Sequence, residues 1–343
     1  MRAALFAAAT AGLLLSVATS GPAAAEDCRG RPNAIGVSRV HEIDTESGPR
    51  FGHHQYKETD ILQQGEVVLT FDDGPLRRYT LPVLDALLAH CTKATFFPVG
   101  RMALFDPDTV KETIRRGHTV GGHTWTHKKL KTLPHQRAID EIELGFSLVR
   151  AAAGGPIAPF FRFPYLSDPK TSIDHLKKRN IAMFSIDADS YDYRTRSPDE
   201  VRRTILKQLE SKGKGIVLFH DIQPSTAQAL ASLLDDLKKR KFRVVHLIAK
   251  TAVRTDPKYD AMAAQEFAKK KGTRDRPLPK RPGISTAPSA HDRPESAAGP
   301  PSKPPASQQA GASRPEDRKS PDPTEPPVAY RPGDDWWVRV FGK

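Results

Sequence analysis

The sequence predicts an α/β fold of about seven βα units, closed as a distorted barrel or left as an open sheet, with a disordered proline-rich C-terminal tail. Three observations predict it. From residue 67 to about 250, short apolar runs alternate with segments of helical period, the pattern of a βα-repeating domain. The 343 residues are 38% hydrophobic and 27% charged, which supplies one large core and excludes chain-wide disorder. Fifteen of the 30 prolines stand in residues 273–343, where no hydrophobic period survives.

Taken in order, the chain opens on Arg2, an apolar stretch over residues 3–15 and a small-residue end, Ala23-Ala24-Ala25, before Glu26. That is the pattern of a secretory signal peptide over residues 1–25, too short in its apolar part for the ~20 residues of a membrane span, and it predicts export to the periplasm or the outside. Residues 26–65 read as an extended, turn-rich lead-in. Within the body, 66–250, candidate strands are 67–71, 94–99, 119–121, 160–162, 182–186, 216–219 and 243–246. Amphipathic segments at 81–89, 107–116, 137–152, 174–179, 198–212 and 226–239 lie between them. A last helix is expected within 251–272, centred on 259–270, and the tail 273–343 ends in an apolar cluster around Trp336-Trp337.

The formal charge is +13, of which one unit leaves with Arg2 and +3 belongs to the tail, so the body carries about +9. Clusters such as Lys177-Lys178-Arg179 and Lys238-Lys239-Arg240-Lys241 suit either peripheral attraction to an anionic envelope surface or ordinary solvated helix faces. Basic residues are not interleaved with aromatic ones, and an exported chain has no nucleic-acid partner to meet. The only two cysteines, Cys28 and Cys91, both outlast the leader. An oxidising compartment favours a Cys28–Cys91 disulfide over two free thiols, worth roughly 4 kcal/mol on the chain-entropy model. Two cysteines cannot build a four-thiolate zinc site, so any metal must rely on histidines and carboxylates.

Five segments can carry chemistry. The strand at 67–71 runs into Asp72-Asp73-Gly74-Pro75, two carboxylates where βα folds place their active sites. His123-Thr124-Trp125-Thr126-His127 spaces two imidazoles at i and i+4, which a helical turn would aim the same way. With one carboxylate from the Asp pair they form a three-ligand set that leaves a fourth position open, as a catalytic zinc requires. Arg162-Phe163-Pro164-Tyr165 offers a guanidinium for a carboxylate and a backbone N–H for an oxyanion. Asp189-Ser190-Tyr191-Asp192-Tyr193 interleaves acids and aromatics after a strand, and the apolar run 216–219 ends in His220-Asp221.

In order and spacing, TFDDGP at 70–75, HTWTH at 123–127, RFPY at 162–165, DSYDY at 189–193 and IVLFHD at 216–221 resemble the five motifs of the polysaccharide deacetylases, the NodB homology domain or carbohydrate esterase family four. The resemblance covers a little over half the chain and implies a distorted (β/α)7 barrel. It implies that Asp73, His123 and His127 bind a divalent metal, usually Zn2+, that Asp72 is the general base with Arg162 as its partner, and that Tyr165 gives the oxyanion a backbone N–H. It further implies that His220 is the general acid, that Asp192 orients and tunes it, and that Leu218 walls the acetyl methyl group, with Pro164 and Tyr193 lining the substrate groove. Tyr193 stands where many relatives have Trp, a departure that bears on groove shape. The implied reaction releases acetate from an N-acetylated glycan of peptidoglycan or chitooligosaccharide type. An amidohydrolase or deformylase acting on a small substrate, an O-acetyl esterase, and a non-catalytic envelope-binding protein are the other readings.

Overall fold

The structure, a computed structural model, describes residues 31–274. The leader, Cys28 of the expected disulfide, and the tail with Trp336-Trp337 lie outside the described residues.

In chain order the strands are β1 (Arg39–Ile43), β2 (Arg50–Phe51), β3 (Glu66–Asp72), β4 (Thr95–Phe97), β5 (Thr119–Val120), β6 (Phe160–Phe161), β7 (Ala182–Phe184), β8 (Ala188–Asp189), β9 (Gly215–His220) and β10 (Arg243–Ala249). The helices are α1 (Arg77–Ala89), α2 (Gly100–Phe105), α3 (Pro107–Arg115), α4 (His135–Ala153), α5 (Lys170–Lys178), α6 (Pro198–Lys212), α7 (Pro224–Lys239) and α8 (Pro257–Arg274). Four helices begin on a proline, whose fixed φ suits the first turn and whose missing N–H costs nothing there. Helix α6 shows both ends written in sequence: Ser197 accepts from the Glu200 N–H at 3.2 Å, and Gly213 closes the helix in the left-handed conformation.

Among the described residues every strand pairing is parallel. Strand β3 is the hub: one edge pairs with β9 from Val67 to Asp72, and the other is shared, with β10 against its first residues and β4 against its last. From β4 the ladder continues to β5, and a single bridge, Gly122 to Phe161, carries it to β6 and β7. On the other side β9 pairs with β8. No ladder joins β7 to β8 among the described residues, and β2 pairs along β7 instead. The order is that of a seven-strand ring, β3 to β9, open at one seam, consistent with a distorted barrel.

Strand β3 is buried along its whole length, so burial alone does not reveal its faces, but packing does. Val67, Leu69 and Phe71 belong to the large core beneath the helices, while Val68 packs inward with Phe97, Phe160, Phe184 and Ile216. By the period of two, Thr70 and Asp72 share Val68's inward face, and in β9 Leu218 and His220 share that of Ile216. The barrel interior is therefore apolar in its lower part and ionisable at its mouth.

The lead-in, expected only as extended chain, holds β1 and β2. Strand β1 pairs with β10 residue for residue, but Arg39, His41 and Glu42 leave it without an apolar run to read. Helix α2, with six residues, is too short to show a period.

Candidate active site

Strand β3 ends on Asp72, and the next residue leaves the strand. Asp73 has a φ of 76°, so the two adjacent carboxylates turn to different partners rather than repel across one site. Asp72 Oδ1 accepts from Arg162 Nη1 at 2.8 Å. Arg162 is completely buried and fully engaged: Nη1 also donates to Thr70 Oγ1, Nη2 to the Ser185 carbonyl and Nε to the Phe184 carbonyl, with Phe97 stacked 4.6 Å from the guanidinium. This arginine is fixed furniture of the barrel interior, and it fixes Asp72.

Asp73 faces the two histidines. Its Oδ1 lies 3.4 Å from His123 Nε2 and 3.2 Å from His127 Nε2, and it is buried without a hydrogen-bond partner. One ligand atom from each of the three residues lies within 4.8 Å of the others. An unpaired buried carboxylate oxygen facing two ring nitrogens fits a divalent cation. The opposite ring nitrogens are spoken for: His123 Nδ1 donates to the Arg162 carbonyl at 2.6 Å, and His127 Nδ1 lies 3.2 Å from the Tyr165 hydroxyl. Such bonds set the tautomer that leaves Nε2 available to a metal. Burial pushes His127 down to about 4 despite the Asp73 charge, keeping it neutral, the form a metal binds. Burial opposes ionisation of Asp73 as well, but the imidazoles of His127, His123 and His220 around it outweigh that and hold the carboxyl below its usual range.

The expected helical turn at 123–127 is not there. Thr124 and His127 have φ of 66° and 60°, and the segment is a pair of bends that converges the two rings to 5.0 Å. Its shape is imposed from outside. The Gly100 and Arg101 N–H groups at the start of α2 donate to the Thr124 and Trp125 carbonyls, each at 2.9 Å. In α4 the Glu141 carboxylate accepts from the Thr126 N–H and hydroxyl, and its carbonyl accepts from the Trp125 N–H. A Cβ on Gly145 would stand 2.5 Å from the Thr124 carbonyl carbon, so only glycine lets helix and loop meet this closely.

The register of β3 against β9 sets Asp72 opposite His220, the two ends of adjacent parallel strands. His220 Nδ1 donates to Asp192 Oδ1 at 2.7 Å, while Asp192 Oδ2 accepts from the His220 N–H and from Thr226 Oγ1. Burial alone would lower His220, but the charge and hydrogen bond of Asp192 raise it to about 10. Leu218 is buried two residues before His220 on the same face. Tyr193 stands edge-on to the His220 ring at 5.5 Å and is half-exposed. Buried Pro164 opens a short turn in which Tyr165 has a φ of 58°. All eleven residues assigned from the motifs, Asp72, Asp73, His123, His127, Arg162, Pro164, Tyr165, Asp192, Tyr193, Leu218 and His220, thus belong to the strand ends and loops around one mouth of the barrel.

Several supporting residues escaped the sequence reading. Glu141, Gly145 and Thr226 lie within helices and act through tertiary contacts that no local pattern announces. Asp221 sat inside a motif without a role. It is buried, accepts from the Gly74 N–H at 3.1 Å and from Thr80 Oγ1 at 2.6 Å, and Thr80 in turn accepts from the Leu76 N–H. These bonds lash the loop after Asp73 to the end of β9. A Cβ on Gly74 would lie 2.2 Å from the Asp221 carboxylate, which is why the loop carries glycine there.

Residues 60–184 match the family described as polysaccharide deacetylase. Over 199 residues the chain is 30% identical to a peptidoglycan-N-acetylglucosamine deacetylase of Bacillus cereus, covering 57% of this chain and 71% of that protein. It is 31% identical over 179 residues to the peptidoglycan-N-acetylglucosamine deacetylase PgdA of Listeria monocytogenes, covering 52% of this chain and 37% of that one. It therefore spans little more than a third of the Listeria relative. Among solved structures, a peptidoglycan deacetylase of Bdellovibrio bacteriovorus matches with a TM-score of 0.58 at 32% identity, over 64% of this chain and 61% of that chain. The chain belongs to the polysaccharide deacetylase family.

Proposed function

We propose that this protein is a metal-dependent hydrolase that removes N-acetyl groups from an N-acetylated glycan of peptidoglycan or chitooligosaccharide type. The observation that carries the reading is the register of β3 and β9, which sets a carboxylate held by Arg162 opposite a histidine held by Asp192, beside the Asp73, His123 and His127 cluster. The names of the similar proteins support the glycan substrate.

Asp73, His123 and His127 would hold the cation, zinc in this reading, and when bound it supplies Lewis acidity toward the amide carbonyl and the attacking water. The rest is the work of the chain. Asp72, kept in place by Arg162, takes a proton from the water as its oxygen attacks the carbonyl carbon. The Tyr165 backbone N–H is assigned to the oxygen that becomes negative. An amide nitrogen leaves poorly unless protonated, so His220 delivers the proton from Nε2, the nitrogen not committed to Asp192, as the C–N bond breaks. The products are acetate and a free sugar amine. Leu218 offers the apolar wall for the acetyl methyl group, and Tyr193 and Pro164 line the groove. With the leader-like residues 1–25, the reading extends to an exported enzyme.

The test is acetate release by the zinc-loaded full chain from soluble peptidoglycan fragments and from chitooligosaccharides. Release from either, abolished by chelator and restored by zinc, is expected. A protein that binds zinc yet frees no acetate from both substrate sets overturns the assignment.

A further inference from the structure

Beside the acid, the loop after β8 displays a cation that the reaction does not use. Tyr191 has a φ of 50°, the Arg194 N–H closes a turn onto the Tyr191 carbonyl at 2.9 Å, and the Asp189 carboxylate accepts from the Tyr191 N–H and the Tyr193 hydroxyl. The turn throws two half-exposed rings toward solvent, 6.2 Å apart and inclined at 68° to each other. Across both lies the Arg194 guanidinium, 4.8 Å from the Tyr191 ring and 5.3 Å from the Tyr193 ring. The Tyr193 ring in turn stands 5.5 Å from the His220 ring.

Arg194 is exposed and, among the described residues, pairs with no carboxylate. Other surface arginines do: Arg77 meets Asp106, Arg116 meets Asp85, and Arg240 meets Glu210. The two acids just before it are committed elsewhere, Asp192 to His220 and Thr226 and Asp189 to the turn itself. The solvent-facing sides of the two aromatic rings give a sugar ring an apolar surface to rest on, and a guanidinium already held beside those rings loses little further freedom on binding. A planar fork with open donors recognises carboxylate in two-pronged fashion.

We propose that Tyr191, Tyr193 and Arg194 form a subsite for the sugar next to the one deacetylated, and that this subsite selects a glycan bearing a carboxylate on that neighbouring sugar. The inference rests on the deacetylase reading and narrows its substrate class: an acidic N-acetylated glycan is preferred over a neutral one of equal length.

The experiment compares three oligosaccharides of one length with the zinc-loaded full chain: a neutral N-acetylglucosamine oligomer, an oligomer with carboxylates on alternate sugars, and the latter with its carboxylates converted to methyl amides. Both kcat/KM and calorimetric affinity are measured. The acidic oligomer should lead the other two, chiefly through KM. Arg194→Gln should lower the acidic-to-neutral ratio about tenfold, the scale of one charge-assisted contact, while Arg194→Lys should keep part of it. A preference shared by acid and amide would mean that bulk, not charge, is read, and that result overturns the subsite. So does an unchanged ratio in Arg194→Gln. Absence of turnover on all three, with the binding preference and its loss in Arg194→Gln intact, overturns the deacetylase reading and leaves the subsite standing.

Discussion

Replacing Asp192 by Asn separates the charge of the acid's partner from its shape. The side chain is completely buried and has three donors pointed at it: His220 Nδ1, the His220 N–H and Thr226 Oγ1. The carboxylate carries His220 to about 10 against the opposing effect of burial. If Asn merely returned the imidazole to its ordinary 6.5, the protonated fraction at about pH 8.5 would fall to about 1%. Burial lowers it and the Asp73 and Asp72 charges raise it, so about a hundredfold loss of kcat on the amide at that pH is the expected scale. At about pH 6 an imidazole with its ordinary value is largely charged, and the deficit should narrow to the part that comes from lost geometry. The assay is kcat for acetate release from a short N-acetylated oligosaccharide across pH, with an activated aryl ester as control, because its leaving group needs no proton. The alkaline limb should move toward acid in Asp192→Asn, and ester turnover should suffer least. An alkaline limb that stays in place, with an equal deficit at every pH and on both substrates, would show that Asp192 only positions the ring and that His220 is not the proton donor.

The other outcomes follow from neighbouring contacts. Asp72→Asn should lower turnover on the order of 100-fold or more while zinc still binds, whereas His123→Ala should lose zinc itself, a split that calorimetric titration of metal reads directly. Gly145→Ala presses a methyl group against the Thr124 backbone and should weaken zinc affinity, about 10-fold or more, without touching a ligand; unchanged affinity would mean that α4 does not set the 123–127 loop. Burial raises Asp221 to about 7 from its ordinary 3.8, with hydrogen bonds from Thr80 and Gly74 opposing only in part. The native state then holds a proton that the unfolded state releases, so this group's stabilising contribution is complete below 3.8 and is lost as pH rises through about 7. Asp221→Asn in chelator should therefore gain stability relative to the parent between about pH 4 and 8, on the order of a few kcal/mol, as read by denaturant melts at each pH; a gap that does not vary with pH would contradict the buried acid.

The parts of this molecule that could be read from sequence are those whose physics is local. Strands β3 and β9 are buried on both faces and so stand out as predominantly apolar runs, and helix α6 announces both ends with a serine cap and a glycine stop. The five motifs carried the site because each ends a strand at the same mouth. What stayed illegible depends on distant partners. Asp72 and His220 face each other through a register 148 residues apart in the chain. The bends at 123–127 replace a plausible helical turn because α2 and α4 supply their hydrogen bonds, and β1 and β2 are strands only because β10 and β7 offer edges.

Those two early strands bear on the order in which the molecule can assemble. Ser38, just before β1, bonds to Val244 across 206 residues, and β2 waits for residues 183 and 184. Their partners come off the ribosome long after they do, and closing so large a loop is slow because its entropy must be spent before any contact repays it. Of the described strands, the first to emerge, β1, is thus among the last to settle. Strand β1 therefore stays unpaired until β10 has been made, and β2 until β7 has, so the sheet grows from β3 onward before its two leading strands can join it.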